Sequence, residues 1–215
     1  MSEPSDATAT ATVIPGSGMH DGHGSSRVDS RSVTARLVAA RDEHPTGTYD
    51  EVFHEVAGRV SETGSISKAD IGTLLFWKRL RADTSWAAKL HNVPDIEVRA
   101  ATARMLQAAR DPQVSTPDAA SAARRALHPL PGFAGGDALA SAVIAAAQPK
   151  RMAVYDRRAH AALKNLMGVD VGRKPGRYRR YMAVVGELLE TVHEERPGWT
   201  ARDVDLALYW IGGEA

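Results

Sequence analysis

Large apolar side chains recur at the period of an α-helix along most of this 215-residue chain, and this periodicity limits the fold more than any other feature. Helix starts are marked by Ser67 with Asp70 three residues later, by Thr200 with Asp203, and by Thr116 before Pro117. Asp83 and Thr84 are predicted to open a short turn that contains Trp86. No segment alternates polar and apolar residues over the length of a strand. The pattern therefore predicts an all-α fold of roughly eight or nine helices. The longest predicted helix carries one apolar stripe of Tyr178, Tyr181, Met182, Val185, Leu188, Leu189 and Val192.

Composition divides the chain into a tail and one domain. Residues 1–28 are rich in Ser, Thr, Gly and Ala and have almost no large apolar side chains, so they cannot bury enough surface to offset the entropy of ordering. We expect a disordered tail there and a single helical domain over residues 29–215. Aromatic residues make up only 6% of the chain and alanine dominates the apolar set, which favours closely packed helices over a sheet.

Composition also excludes several kinds of chemistry. Cysteine is absent, which excludes disulfides, thiol nucleophiles, cysteine zinc sites and iron–sulfur clusters. His20 and His23 lie in the predicted tail, where they would hold no fixed geometry, so we predict no metal and no other cofactor. No apolar run approaches the ~18–20 residues of a membrane span, and the N-terminus lacks a secretion-signal pattern. We therefore expect a cytoplasmic protein with no membrane partner.

The segment of residues 130–163 has the strongest functional pattern. It opens with a Pro-Gly turn at Gly132, continues through Gly135 and Gly136, and then enters a small-residue helix predicted over residues 137–147. Glycines let the backbone approach a ligand closely, and the helix after them points free N–H groups at it, with phosphate as the usual ligand. Asp156 stands at the head of the next predicted helix, where it can cap that helix or act on a bound ligand.

Positive charge is concentrated beside this segment, although the formal net charge of the chain is only +1. Residues 150–180 contain ten Lys or Arg and two acids. Such an excess is typical of a phosphate-binding face, and the alternative is an ordinary solvated surface. On the first interpretation, phosphate contacts are predicted from Arg157, Arg158, Arg173 and Lys174.

The same segment resembles the hairpin of the helix-hairpin-helix DNA glycosylases, the base-excision superfamily that includes the 8-oxoguanine glycosylases. Their pattern of apolar-x-Gly-apolar-Gly-three residues-Ala is matched by Leu130, Gly132, Phe133, Ala134 and Ala138, with alanine in place of the second glycine. More loosely, residues 77–79 and 203–210 are similar to compact bacterial proteins described as having an 8-oxoguanine-glycosylase-like fold.

The resemblance implies a helix-hairpin-helix, glycosylase-like domain that binds duplex or locally single-stranded DNA and releases a damaged or modified base. It implies that Asp156 is the catalytic carboxylate. The implied backbone contacts come from Gly132, Ala134, Gly135 and Gly136.

The resemblance also bears on the reaction type. Bifunctional members carry a hairpin lysine, whose place is held here by Gly136 or, one residue along, by Asp137. The expected enzyme therefore hydrolyses the N-glycosidic bond without lyase activity. Trp77, Lys78 and His160 are candidates for the base pocket. Lys78 is the one lysine near an aromatic residue that could replace the missing amine, and Lys150 is the alternative.

Two other function classes stay open from the sequence. The chain could be a non-catalytic helix-hairpin-helix DNA-binding module. It could also be a helical protein-interaction domain, which becomes preferable if the basic residues prove scattered. For Asp156 the simpler interpretation is a helix cap alone, and capping is compatible with catalysis.

Overall fold

A computed structural model of the chain describes residues 30–44, 47–173 and 175–213. Within these ranges the fold is all-helical, as predicted, with ten α-helices, one 3₁₀ turn and no strand. The helices are α1 Ser30–Glu43, α2 Glu51–Thr63, α3 Lys68–Trp77, α4 Ser85–His91, α5 Asp95–Arg110, α6 Thr116–Leu127, α7 Ala138–Ala147, α8 Arg157–Met167, α9 Arg177–Val192 and α10 Ala201–Ile211. The tail predicted over residues 1–28 lies outside the described residues, and so does Lys174.

Helix ends lie where local side-chain chemistry predicts them. Ser67 and Asp70 form a reciprocal capping box at the start of α3, in which the Ser67 hydroxyl accepts the Asp70 N–H at 3.1 Å. Thr200 and Asp203 form the same box at the start of α10. Gly168 ends α8 in the left-handed conformation that glycine adopts without strain. These bonds satisfy backbone groups that a helix end would otherwise leave unpaired.

Two start points differ from the prediction. The segment after Thr84 was expected to be a short turn, but it forms the short helix α4. Leu90 is buried and Trp86 is partly buried against the core, one helical turn apart, so tertiary packing stabilises a helix too short to form alone. The N-cap of α6 is Ser115, one residue before the predicted Thr116.

Helix α7 lies at the centre of the molecule. Residues 139–147 are all buried, and α7 packs against α2, α3, α5 and α6. Its alanines allow this because helix separation depends on the size of the side chains at the contact. A turn of residues 128–137 joins α6 to α7, and the buried Leu130 and Phe133 anchor that turn in the core.

Helices α8, α9 and α10 form the side of the molecule on which the candidate site lies. Helix α10 packs on α1, α8 and α9, while α9 also packs on α6. Residues 148–156, between α7 and α8, run beneath these helices, and residues 152–155 of them are buried. Among the described residues, no helix combines the length and the apolar character needed to cross a membrane.

Candidate functional site

The buried strand-like segment before Asp156 is held by side chains from neighbouring helices. The Val154 N–H donates to Asp205 Oδ2 of α10 at 3.1 Å, and the Tyr155 N–H donates to Ser141 Oγ of α7 at 2.9 Å. A buried backbone donor without a partner is costly, so these bonds fix the path of the chain. The position of Asp156 at the end of the segment is fixed as a result.

Asp156 caps α8 and also forms an ion pair. Its Oδ1 accepts the Arg158 N–H at 2.8 Å, which is an N-cap bond. Its Oδ2 lies 2.6 Å from Lys78 Nζ. The side chain of Lys78 is only 7% exposed and that of Asp156 is 22% exposed, so the pair is largely shielded from water but still reachable. The capping predicted for Asp156 is confirmed, and the same carboxylate also forms the ion pair with Lys78.

The C-terminus of α3 delivers Lys78 to this position. Lys78 is the C-cap residue, and Arg79 after it has φ of +53°, a left-handed conformation that is uncommon outside glycine. Trp77 is buried, and its indole N–H donates to the Tyr49 carbonyl at 3.0 Å, which anchors the helix end. The lysine stem then extends so that Nζ lies 6.0 Å from the ring centroid of Tyr209 on α10.

The electrostatic balance keeps Asp156 ionised. Burial opposes the charge and would raise the pKa of Asp156, but the charge and hydrogen bond of Lys78 and the Arg158 N–H outweigh it. The pKa of Asp156 therefore lies below its usual value. The main source of this lowering is Lys78, which is far away in sequence.

Aromatic and basic side chains surround the ion pair. The Arg158 guanidinium lies 5.1 Å from the ring centroid of Tyr209, and the Arg177 guanidinium lies 4.5 Å from that of Tyr155. His160 contacts both the Tyr155 hydroxyl, at 3.5 Å from Nδ1, and Asp170, at 3.0 Å from Nε2. His160 therefore contacts Tyr155, the residue that precedes Asp156, and Asp170.

A recess of about 270 Å³ lies at the C-terminal end of α3, and its lining includes Trp77 and Arg79, the two neighbours of Lys78 in sequence. Three aromatic side chains line it, those of Tyr49, Phe76 and Trp77. Phe76 is 76% exposed, an unusual position for so large an apolar side chain. Flat aromatic surfaces of this kind can stack on a planar ligand.

The hairpin glycines have different roles. Gly132 has φ of +90°, and a Cβ added there would lie 2.2 Å from Trp86 Cε3, so this glycine is required by packing against an indole ring. Ala134, Gly135 and Gly136 are exposed at the tip, and added Cβ atoms at the two glycines would meet open space. The tip is the part of the hairpin that a ligand can reach.

The basic residues of the 150–180 segment are divided between structure and surface. Arg151 donates to the carbonyls of Ala109, Asp111 and Val114, and so completes the end of α5. Arg180 donates to three carbonyls of the loop before α9, including that of Arg173. Arg157, Arg158 and Arg173 are exposed, with Arg158 beside the ion pair.

A buried charge network behind the site was not predicted. Arg202 on α10 donates to both oxygens of Asp50 and to Asp205, and all three residues are buried. Asp205 in turn accepts the Val154 N–H, which connects the network to the segment that ends at Asp156. The signal in the sequence is an Arg and an Asp three residues apart within an otherwise apolar helix, a spacing that places both on one face.

Among the described residues, no group of three or more His, Cys, Asp or Glu side chains could hold a metal ion. Comparison of the chain with protein-family models, with curated proteins and with solved structures finds no match.

Proposed function

We propose that this protein is a DNA base-excision enzyme, similar to the 8-oxoguanine-type glycosylases, that hydrolyses the N-glycosidic bond of a damaged or modified base. The observation that carries the proposal is the ionised Asp156 at the head of α8, held at 2.6 Å by Lys78 and only partly shielded from water. A carboxylate in this state suits a reaction in which a sugar develops positive charge.

The chemistry requires a carboxylate close to the sugar. When the base leaves, the sugar gains oxocarbenium character, which a nearby anion stabilises. The same carboxylate can accept a proton from the attacking water. Asp156 suits both roles because its lowered pKa keeps it anionic near neutral pH.

The surroundings of the ion pair supply the other requirements. The target base must leave the helical stack, and the aromatic recess lined by Tyr49, Phe76 and Trp77 offers surfaces on which it could stack. The exposed hairpin tip, residues 134–136, and the exposed Arg157 and Arg158 are available for the phosphate backbone.

A second candidate reaction is favoured by one observation, the closeness of Lys78 Nζ to Asp156. A primary amine in that position can attack the sugar carbon as the base departs, and the Schiff base formed can then undergo strand cleavage. Asp156 would accept the proton that the ammonium must lose before it attacks. This route restores the lyase activity that the hairpin, with Gly136 and Asp137, does not supply.

One experiment separates these reactions. Oligonucleotide duplexes that carry single damaged bases are incubated with the full chain, with Asp156→Asn and with Lys78→Gln, and the products are tested for free base, strand cleavage and borohydride-trapped adducts. Hydrolysis predicts an abasic but intact strand, no adduct, and base release that Asp156→Asn abolishes. The amine route predicts an adduct that Lys78→Gln abolishes.

The matched control is Asp42→Asn, an exposed acid that pairs with Arg196 and lies outside the ion pair. It should release base like the wild type. Base release that Asp156→Asn leaves intact would remove Asp156 from catalysis. DNA binding without base release from any substrate would instead favour the non-catalytic DNA-binding module.

A further inference from the structure

Four arginines converge on one pocket beside the hairpin. The pocket has a volume of about 410 Å³ and is bounded by α6, the N-cap of α7 and the first turn of α9. Its arginines are Arg124, Arg125, Arg177 and Arg179. Only two of them lie within the basic 150–180 segment of the sequence, so the cluster exists only in the folded chain.

A buried carboxylate fixes two of these arginines in place. Asp137, only 5% exposed, accepts the Arg124 Nε–H at 3.1 Å through one oxygen and the Arg177 Nε–H at 2.8 Å through the other. Arg124 and Arg177 therefore lose their side-chain entropy when the protein folds and not when a ligand binds. This lowers the entropic cost of binding a ligand that contacts both guanidiniums. The Asp137 side chain bonds to these arginines and makes no capping hydrogen bond to α7.

The other two arginines keep donors for a ligand. Arg125 uses one terminal nitrogen for Ser121 Oγ, and Arg179 uses Nε for Asp118 at the rim. A guanidinium has five N–H donors, so most of theirs remain available. Four positive charges face two carboxylates, which leaves the pocket positive. The N-terminus of the 16-residue helix α9 adds to this, because its N-cap, Gly176, offers no side chain to its first N–H groups.

The pocket is connected through Tyr155 to the segment that ends at the candidate catalytic residue. The Arg177 guanidinium stacks on the ring of Tyr155, whose neighbour in sequence is Asp156. The exposed hairpin tip is also adjacent, because Arg124 donates to the Gly136 carbonyl at 3.2 Å. The pocket arginines therefore contact both the hairpin tip and the residue that precedes Asp156.

We propose that this pocket binds a backbone phosphodiester of the nucleic-acid strand whose target nucleotide lies at Asp156. Planar guanidiniums bind phosphate oxygens in pairs, and a pocket that holds one phosphate fixes the register of the strand relative to the acid. This inference rests on the proposed function for the choice of ligand, but not on any base being released.

The test uses an undamaged single-stranded oligonucleotide, the full chain, and two double variants with the same loss of charge. Arg125→Gln with Arg179→Gln removes the two pocket arginines that anchor least structure. Arg36→Gln with Arg104→Gln is the control, because those arginines are exposed on α1 and α5 and do not line the pocket. Unchanged melting temperatures establish that both variants are folded.

The pocket variant should bind the oligonucleotide roughly 5-fold more weakly at 0.1 M salt, and the slope of log affinity against log salt should fall by about 0.7, as expected for one lost phosphate contact. The control variant should stay close to the wild type in both. Equal losses in the two variants, or wild-type binding by the pocket variant, would overturn the assignment.

Titration with inorganic phosphate at constant ionic strength separates the two sources of the ligand. If the pocket variant loses only inorganic phosphate and still binds the oligonucleotide, the pocket serves a free phosphate and the proposal is wrong. Oligonucleotide binding that depends on these arginines, with no base released in the glycosylase assay, would overturn the proposed function and leave the pocket assignment standing.

Discussion

The buried network of Arg202, Asp50 and Asp205 gives the sharpest stability prediction. In Arg202→Met, two carboxylates that are 0% and 1% exposed lose the cation that both of them bind. Removing one partner of a buried ion pair costs about 3–5 kcal/mol, because the charge left behind is neither solvated nor paired. Methionine preserves most of the packing between the rings of Phe53 and Trp77, so the loss measures charge rather than volume.

That cost is a large part of a typical domain stability of about 5–15 kcal/mol. For a chain of this size it should lower the melting temperature by roughly 6–20 °C. Urea unfolding, followed by tryptophan fluorescence and by circular dichroism, measures the lost free energy of unfolding, provided that the two probes give the same transition. The control is Arg196→Met, which removes an exposed pair with Asp42 and should cost about 1 kcal/mol or less.

The structure also predicts a partial rescue. The described side-chain bonds of Asp50 all go to Arg202, whereas Asp205 also accepts from Val154 and Tyr181. Adding Asp50→Asn to Arg202→Met removes one stranded charge and should recover part of the lost free energy. The reasoning is refuted if Arg202→Met costs under about 1 kcal/mol, or if the double variant is no more stable than the single one.

Two further predictions test the hairpin and the response to acid. Gly132→Ala should lower the free energy of unfolding by about 2–4 kcal/mol, because the φ of Gly132 is left-handed and an added Cβ would overlap the Trp86 ring. Gly135→Ala should lower it by about 0.5 kcal/mol or less. Urea unfolding compares the two variants, and equal losses would contradict the packing role of Gly132. Burial raises the pKa of Asp70, but hydrogen bonds from Ser67 and Arg59 outweigh burial, so the pKa of Asp70 in the folded protein lies below the usual 3.8. The ionised Asp70 therefore contributes stability that is present above pH ~4 and is lost as pH falls through the folded pKa. Asp70→Asn should reduce the dependence of unfolding free energy on pH in the acid range.

Much of the secondary structure was predictable because its determinants are local. The capping boxes at Ser67 and Thr200 and the glycine stop at Gly168 join residues within a few positions of one another, so the sequence pattern and the structure coincide. Helix α4 was missed because its stability comes from packing of Trp86 and Leu90, which a short apolar pattern does not reveal.

The site was only partly predictable because its decisive contacts are long-range. Asp156 and Lys78 were each singled out, but 78 residues separate them and no local pattern indicates that they pair. The count of charged residues along the chain likewise did not show which arginines face a ligand. Arg151 and Arg180 point at carbonyls, whereas Arg124 and Arg125, outside the counted segment, face the arginine pocket. Sequence position gives the amount of charge but not its direction.

The two bonds of the Asp156 carboxylate are not equally easy to break, and this decides how a substrate could reach it. The bond from the Arg158 N–H belongs to the first turn of α8, so breaking it would unwind a helix end. The bond from Lys78 comes from the tip of a flexible four-carbon stem. A sugar that approaches Oδ2 therefore displaces Lys78 and leaves the cap in place. Both candidate reactions share this displacement, and they differ in whether the released amine then attacks the sugar. Under the proposed function, substitutions at Asp156 should stop both reactions, so Lys78→Gln, with borohydride trapping, is the variant that separates hydrolysis from the amine route.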